Sequence, residues 1–137
     1  MTDDSRRVFL SFSRSELPYA RAVAHELSRR GVEAWLDESE VAAGEAMRDR
    51  LEDALRSAGV LVAFVTDTAL ASPELNFEIG AAVGAEKRVI PVFLSNDVRK
   101  DAPSILRERA GIEAVDLKPE QVAEQIADAL GAPATTG

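Results

Sequence analysis

The sequence predicts an α/β domain in which a five-stranded parallel sheet carries helices on both faces. Five short apolar runs alternate with five helix-like segments, and strict β-α alternation is typical of parallel sheets. The length of 137 residues fits one domain with a sizeable core. For one domain with five strands, the leading topology is a flavodoxin-like three-layer sandwich with strand order 2-1-3-4-5.

The predicted strands differ in how continuously apolar they are. The first, third and fourth are dense in Val, Leu, Ile and Phe, as strands buried on both faces should be. The second and fifth contain Glu33 and Glu113, which suits the edges of the sheet. Pro91 lies in the fourth strand and cannot donate to a ladder, so we expect a local irregularity there. The predicted strands are residues 7–12, 32–37, 60–66, 88–94 and 112–117.

The sequence indicates where the first two helices begin and end. Ser15 is the expected N-cap of the first helix, because it puts Pro18 at the third helical position, where a backbone amide has no hydrogen-bond partner within the helix. Gly31 is expected to end this helix at the C′ position. The second helix is predicted from about Gly44 and stops at Gly59. The predicted inward-facing residues are Ala20, Val23, Ala24 and Leu27 in the first helix, and Met47, Leu51, Leu55 and Ala58 in the second.

The third helix begins within the stretch "SPELNFEIGAA", residues 72–82. Ser72 as the cap and Pro73 at the first helical position are a strong start signal. A weaker helix is predicted near residues 103–109, and a final one runs from Pro119 to Leu130. The inner stripe of the third helix is predicted to be Leu75, Ile79, Ala82 and Val83.

The composition excludes several classes of protein. Lys plus Arg number 16 against 24 Asp plus Glu, and the net charge of −8 disfavours a nucleic-acid partner, whose phosphates need neutralising. The absence of cysteine excludes disulfides and thiolate metal sites. No apolar run approaches the roughly 18 residues of a membrane span, and the polar N-terminus is unlike a signal peptide. We therefore expect a cytoplasmic domain over residues 1–131, with 132–137 as a flexible tail or a linker to a further domain.

The common motifs of enzymes on α/β folds are missing from this sequence. The turn after the first strand reads "SFSRSE", without the glycines of a dinucleotide-binding or Walker A loop. A receiver-type phosphorylation site would need acidic residues there in addition to Asp67 after the third strand. His25 is the only possible base for a Ser-His-Asp triad, and its place on the helical wheel indicates a surface residue. No His-x-x-x-His pattern or carboxylate cluster supports a metal site.

The candidate site lies where parallel sheets bind ligands, beyond the carboxyl ends of the strands. It would comprise Ser13 and Arg14, residues 37–44 and residues 66–78. Glu74 and Glu78 lie four apart on the third helix, where like charges repel by a few tenths of a kcal/mol. Partial burial and the neighbouring charge are both expected to raise the pKa of Glu78, as in active sites. The alternative is that Glu78 lies on a solvated flank of the helix.

Two aromatic residues have open interpretations. Phe77, Ala81 and Gly84 occupy the face of the third helix opposite its stripe. An exposed phenylalanine there indicates either packing under a neighbouring loop or a contact surface for another copy of the domain. Trp35, near the end of the second strand, either stacks on a ligand ring in the crevice or belongs to the core.

Four stretches follow one another with the order and spacing of a known family: "VFLSFSRSELPYARAVAHEL", "GVEAWLDESEVAAGEAMRDRLEDALRSAGVLVAFVT", "ASPELNFEIGAA" and "RVIPVFL". Together they resemble the TIR (Toll/interleukin receptor) domain, in the style of its bacterial members, over about residues 6–117. The resemblance implies the same flavodoxin-like fold. It also implies that the family's BB loop, after the second strand, is Glu38 to Glu45, with Ala43-Gly44 where many members have Pro-Gly.

Enzymatic TIR domains cleave the nicotinamide–ribose bond of NAD+, so the resemblance implies NAD+ as the substrate, without a cofactor or metal. Their S-x-W-x-x-x-E pattern puts the catalytic glutamate at Glu78 and leaves Glu74 in place of the pocket tryptophan. Arg14 is the candidate for holding the pyrophosphate. The other substrate-binding residues that the resemblance implies are Phe12, Ser13, Trp35, Asp37, Gly44 and Glu74.

Family analogy further implies an effector of a bacterial anti-phage defence system, which releases nicotinamide and ADP-ribose or a cyclic form. It would be activated when TIR copies assemble into a homo-oligomer or filament, driven by a sensor domain in the same or a partner chain. The alternative, which Glu74 favours, is a non-catalytic TIR–TIR signalling module, and a nucleoside-processing glycosyltransferase is a third interpretation. The assembly contacts would be Ala43, Gly44, Phe77 and Ala81.

Overall fold

A computed structural model of the chain describes residues 7–36 and 58–131. Its centre is one five-stranded sheet in the order β2-β1-β3-β4-β5, and every neighbouring pair is parallel. The predicted fold class and strand order are therefore confirmed. The strands are β1 (Arg7–Ser11), β2 (Glu33–Leu36), β3 (Val60–Val65), β4 (Arg88–Phe93) and β5 (Ile112–Glu113).

Helices connect the strands and cover the sheet. None of the helices in the described ranges is long and apolar enough to cross a bilayer. The predicted helix that starts near Gly44 lies outside the described residues. The described helices are α1 (Leu17–Arg29), α2 (Asp67–Leu70), α3 (Pro73–Gly84), α4 (Val98–Asp101), α5 (Ser104–Arg107) and α6 (Pro119–Gly131).

For α1, the predicted N-cap is wrong and the predicted C-terminal end is confirmed. The prediction of Ser15 as the N-cap is wrong: a 3-10 turn, Arg14–Glu16, comes first, and Glu16 is the capping residue. The predicted end at Gly31 is confirmed, because this residue has a φ of 79°. Its amide donates to Ser28 O at 3.1 Å and that of Val32 donates to Leu27 O at 3.0 Å, which is a Schellman motif.

The sheet separates two apolar clusters because side chains alternate along each strand. Val8 and Leu10 point to the side covered by α1 and α6, where they join Val23 and Ile126. Phe9 points to the other side, where it joins Ile79 of α3. Ser11 follows Phe9 by two residues in β1, so its side chain also lies on the α3 side of the sheet.

Pro91 lies inside β4 without disturbing its pairing. The register with β3 runs unbroken from Val60↔Arg88 to Val65↔Phe93, so the expected irregularity is absent from this ladder. The amides of Arg88 and Leu94 point to β3, and by alternation the ring nitrogen of Pro91 faces the β5 side. The β5 ladder begins one residue later, at Val92↔Ile112, so the missing amide leaves no hydrogen bond unmade.

Candidate active site

Glu78 is buried on the second turn of α3. This helix begins at Pro73, as predicted, and Asn76 N donates to Ser72 O at 3.1 Å in its first turn. Ile79 and Ala82 on the same helix are buried in the core, which turns the adjacent face with Glu78 towards the sheet. Glu78 is only 2% exposed, so the interpretation as a solvated flank is wrong.

A serine at the end of β1 holds the Glu78 carboxyl group. Ser11 Oγ donates a hydrogen bond to Glu78 Oε1, and Ser11 is itself fully buried. The two residues are 67 positions apart in the chain, and the contact joins β1 to α3. A carboxylate fixed in this way interacts more strongly with a positive charge than one in water, because the surroundings are less polarisable. The arrangement can therefore stabilise a cation that forms beside α3.

Glu16 lies at the centre of a second cluster of hydroxyl groups, at the same edge of the sheet. Ser13 Oγ and Thr66 Oγ1 donate to Glu16 Oε1, the latter at 3.2 Å, and Ser15 Oγ donates to Oε2 at 2.7 Å. Thr66 Oγ1 also accepts from Ala69 N at 3.0 Å, which caps α2. Sequence reasoning identified neither Ser11 nor Glu16 as a site residue. The only available signal was the alternation of "SFS", which puts Ser11 on the side of the sheet that α3 covers.

The structure brings some of the predicted substrate contacts to the α3 side and separates others. Ser13 is 7% exposed and continues β1 with extended backbone. Trp35 pairs with Phe9 and shares its side of the sheet, and at 40% exposure it is not a core residue. Phe12 instead packs against the cluster on the α1 and α6 side. Arg14 is exposed in the 3-10 turn.

Several predicted residues fall outside what the structure describes. Asp37, Ala43 and Gly44 lie outside the described residues, as does the rest of the predicted BB loop. Glu74 is in the first turn of α3, and its side chain is not described.

The predicted assembly residues on α3 differ in exposure. Phe77 is 48% exposed, which keeps the interpretation as a contact surface open, whereas Ala81 is half-buried against the core. An added Cβ at Gly80 or Gly84 would have no other atom within 4 Å. The predicted surface position of His25 is confirmed.

Comparisons with known proteins agree with this architecture. A family model described as a TIR domain matches residues 8–131. The 2′ cyclic ADP-D-ribose synthase AbTIR of Acinetobacter baumannii (strain 1295743) is 23% identical over an alignment 137 residues long. The alignment covers 94% of this chain and 51% of that protein. The chain thus spans about half the length of this curated relative.

Two solved structures extend the comparison to the fold. A metazoan TIR-STING receptor from C. gigas, in complex with 2′,3′-cGAMP, has a TM-score of 0.75 at 23% identity, covering 92% of this chain and 39% of that chain. The CMP N-glycosidase BcmB of Clostridium botulinum has a TM-score of 0.60 at 17% identity, covering 88% of this chain and 96% of that chain. At these identities the likeness concerns the arrangement of strands and helices.

Proposed function

The chain belongs to the TIR domain family, and we propose that it cleaves the bond between nicotinamide and ribose in NAD+, with Glu78 as the catalytic carboxylate. The observation that carries this proposal is the buried position of Glu78 on α3, with its Oε1 held by Ser11 Oγ. A glutamate with no role beyond the protein surface would need neither burial nor a serine partner on β1. The similarity to the cyclic ADP-D-ribose synthase gives further support.

The chemistry needs one well-placed negative charge. The C1′–N bond breaks, and its electron pair goes to the nicotinamide ring nitrogen, which was cationic and leaves neutral. The ribose becomes oxocarbenium-like, and the Glu78 carboxylate stabilises its positive charge. Water then attacks C1′ and releases a proton, which gives ADP-ribose; if a nucleophile of NAD+ itself attacks, the product is cyclic. NAD+ is the substrate, and no further cofactor takes part.

The remaining contacts follow from where each side chain lies. Arg14 is exposed in the 3-10 turn that follows β1 and is the proposed partner of the pyrophosphate. Trp35 offers a partly exposed ring on the same side of the sheet as Ser11. Arg14 would hold the pyrophosphate in the middle of NAD+ and Trp35 would stack on one of its rings, while Glu78, held by Ser11, acts at the ribose.

Activity would require assembly with other copies of the domain. At 2% exposure, Glu78 is shielded from substrate, so the groups that cover it must move before NAD+ can bind. Contacts between copies can supply the free energy for that change, and Phe77, exposed on the outer face of α3, is the proposed contact. A sensor domain would bring the copies together, and anti-phage defence is the proposed setting.

The test uses the domain clustered by fusion to a scaffold, incubated with NAD+, with free nicotinamide measured by chromatography. Glu78→Gln keeps the size of the side chain and its bond to Ser11 but removes the charge, so the rate should fall by about 100-fold or more. Glu124→Gln, at an exposed position on α6, is the matched control and should leave the rate unchanged. Unclustered domain should release little nicotinamide, and Phe77→Ala should lower the rate of the clustered form.

Two results would contradict the proposal. If the clustered wild type releases no nicotinamide, the domain is a non-catalytic assembly module. If Glu78→Gln cleaves NAD+ as fast as the wild type, another group performs the reaction. CMP should be offered in parallel, because one of the solved structures with this fold is a CMP N-glycosidase; release of cytosine would indicate a nucleotide N-glycosidase instead.

A further inference from the structure

The hydroxyl group of Ser13 has its only hydrogen committed within the protein. A serine hydroxyl has one hydrogen and two acceptor lone pairs. Ser13 Oγ donates to Glu16 Oε1 and also lies 3.1 Å from Ser15 Oγ, a pair in which either oxygen can be the donor. Whichever way that pair is oriented, the Ser13 hydrogen points at a protein acceptor. The oxygen therefore has only lone pairs to offer to a ligand.

Glu16 is held so that it enforces this orientation. Its carboxylate is an acceptor only, and it bonds to residues at the ends of two neighbouring strands. Thr66 Oγ1, directly after β3, donates to the same oxygen as Ser13, and Ser15 Oγ donates to the other. Bonds to a charged acceptor are stronger than bonds between neutral groups, so the Ser13 hydrogen favours Glu16 over an incoming ligand.

Ser13 also lies close to the proposed reaction centre. Ser11, which bonds Glu78, precedes it by two residues, and alternate residues of an extended chain are about 6.6 Å apart on the same side. A ribose together with its hydroxyl groups spans a similar distance. Ser13 is 7% exposed and Glu78 is 2% exposed, so the proposed opening of the site must expose Ser13 as well as Glu78.

We propose that Ser13 is a specificity-determining residue that accepts a hydrogen bond from a hydroxyl of the nicotinamide ribose, and that Glu16 is the positioning residue that keeps it an acceptor. A phosphate has no hydrogen to donate at neutral pH, and the Glu16 charge repels it, so Ser13 does not contact the pyrophosphate. The inference rests on the proposed function, since it places the ribose beside Glu78. The inference adds to the proposed function that the loop after β1 recognises a hydroxyl group of the ribose.

The test measures NAD+ binding to the clustered 137-residue chain by equilibrium dialysis. Glu78→Gln is the parent, so that turnover does not consume the ligand. Adding Ser13→Ala should weaken binding by about 3- to 10-fold, the loss of one hydrogen bond. Adding Glu16→Ala should weaken binding in the same range, because it removes the acceptor that holds the Ser13 hydrogen, which is then free to turn towards the ligand. The two changes combined should lose no more than Ser13→Ala alone, because Glu16 acts through Ser13.

Ligand analogues separate recognition from damage to the fold. NAD+ lacking the 2′- or the 3′-hydroxyl of the nicotinamide ribose should bind the parent more weakly than NAD+. With Ser13→Ala, one of these analogues should bind as well as NAD+, which a merely structural role for Ser13 would not produce. Ser95→Ala, at a half-buried serine just after β4, is the control and should change neither affinity nor discrimination.

The outcomes distinguish this inference from the proposed function. If the parent binds NAD+ and the Ser13 and Glu16 changes leave binding and discrimination intact, the inference is wrong and the proposed function stands. The same conclusion follows if the double variant loses NAD+ affinity by the product of the two single losses, because Glu16 would then not act through Ser13. If the parent binds no NAD+ and the wild type cleaves none, the proposed function fails, and the inference fails with it.

Discussion

Replacing Ser11 by alanine tests the contact on which the active-site proposal depends. The change removes the hydroxyl that donates to Glu78 Oε1, between a fully buried residue and one that is 2% exposed. A hydrogen bond to a charged group contributes about 1.5–3 kcal/mol to stability, against about 0.5–1.5 kcal/mol for one between neutral groups. Ser11→Ala should therefore lower the free energy of unfolding by about 2 kcal/mol if Glu78 carries its charge.

The size of the effect should depend on the residue at position 78. In a Glu78→Gln background the amide oxygen still accepts from Ser11, but the bond is neutral, so Ser11→Ala should cost only about 1 kcal/mol. The difference, about 1 kcal/mol, is the coupling energy of a double-mutant cycle. For a domain of this size, 1 kcal/mol corresponds to a shift of roughly 4 °C in Tm.

The assay is urea unfolding of the four proteins in the cycle, followed by circular dichroism, with thermal melts in parallel. Ser95→Ala is the matched control, and its free energy of unfolding should stay within about 0.5 kcal/mol of the wild type. An equal loss from Ser11→Ala in both backgrounds would refute a charge-assisted bond at Glu78. A loss below about 0.5 kcal/mol in the wild-type background would refute the contact itself.

Three further changes test other parts of the fold. Tyr19→Phe removes the hydrogen bond to Leu117 O and should cost about 1 kcal/mol. Burial raises the pKa of Tyr19 above its usual value of 10.0. The contribution of Tyr19 to the free energy of unfolding is therefore complete below pH 10 and is lost as the pH rises through the folded-state pKa. Tyr19→Phe should lack this loss when unfolding is measured at alkaline pH. Gly111→Ala would put a Cβ 2.7 Å from Pro91 O and should destabilise the domain by about 1–3 kcal/mol in the same assay. Gly80→Ala, on an open helix face, should instead raise stability by about 0.5–1 kcal/mol, and a loss there would contradict the open surface.

The fold could be predicted from the sequence because its signals are local and repeated. Each buried strand is a continuous apolar run, and the ends of α1 and α3 at Gly31 and Pro73 depend on single residues whose backbone preferences are strong. The short helices α2 and α4 were not predicted, since four residues are too few to show a helical period. The fifth strand was predicted too long, to residue 117, and ends at Glu113; Asp116, with a φ of 64°, belongs to the turn that follows.

The site could be predicted only in part, because its contacts join distant positions. The helical wheel put Glu78 at the flank of α3, but its hydrogen-bond partner Ser11 lies 67 residues away in the chain. The same holds for Glu16, whose partner Thr66 is 50 residues away and which stands at the N-cap position of α1 in place of the predicted Ser15. Helical spacing gives the direction of a side chain and not the group that it meets.

The position of Pro91 has a consequence for how the last strand can join the sheet. A β5 shifted towards the start of β4 would need an amide at Pro91, which an imino acid lacks. That misaligned pairing would therefore lose a backbone hydrogen bond at this edge of the sheet. An imino acid inside a well-paired strand thus protects the chain against register errors while it folds.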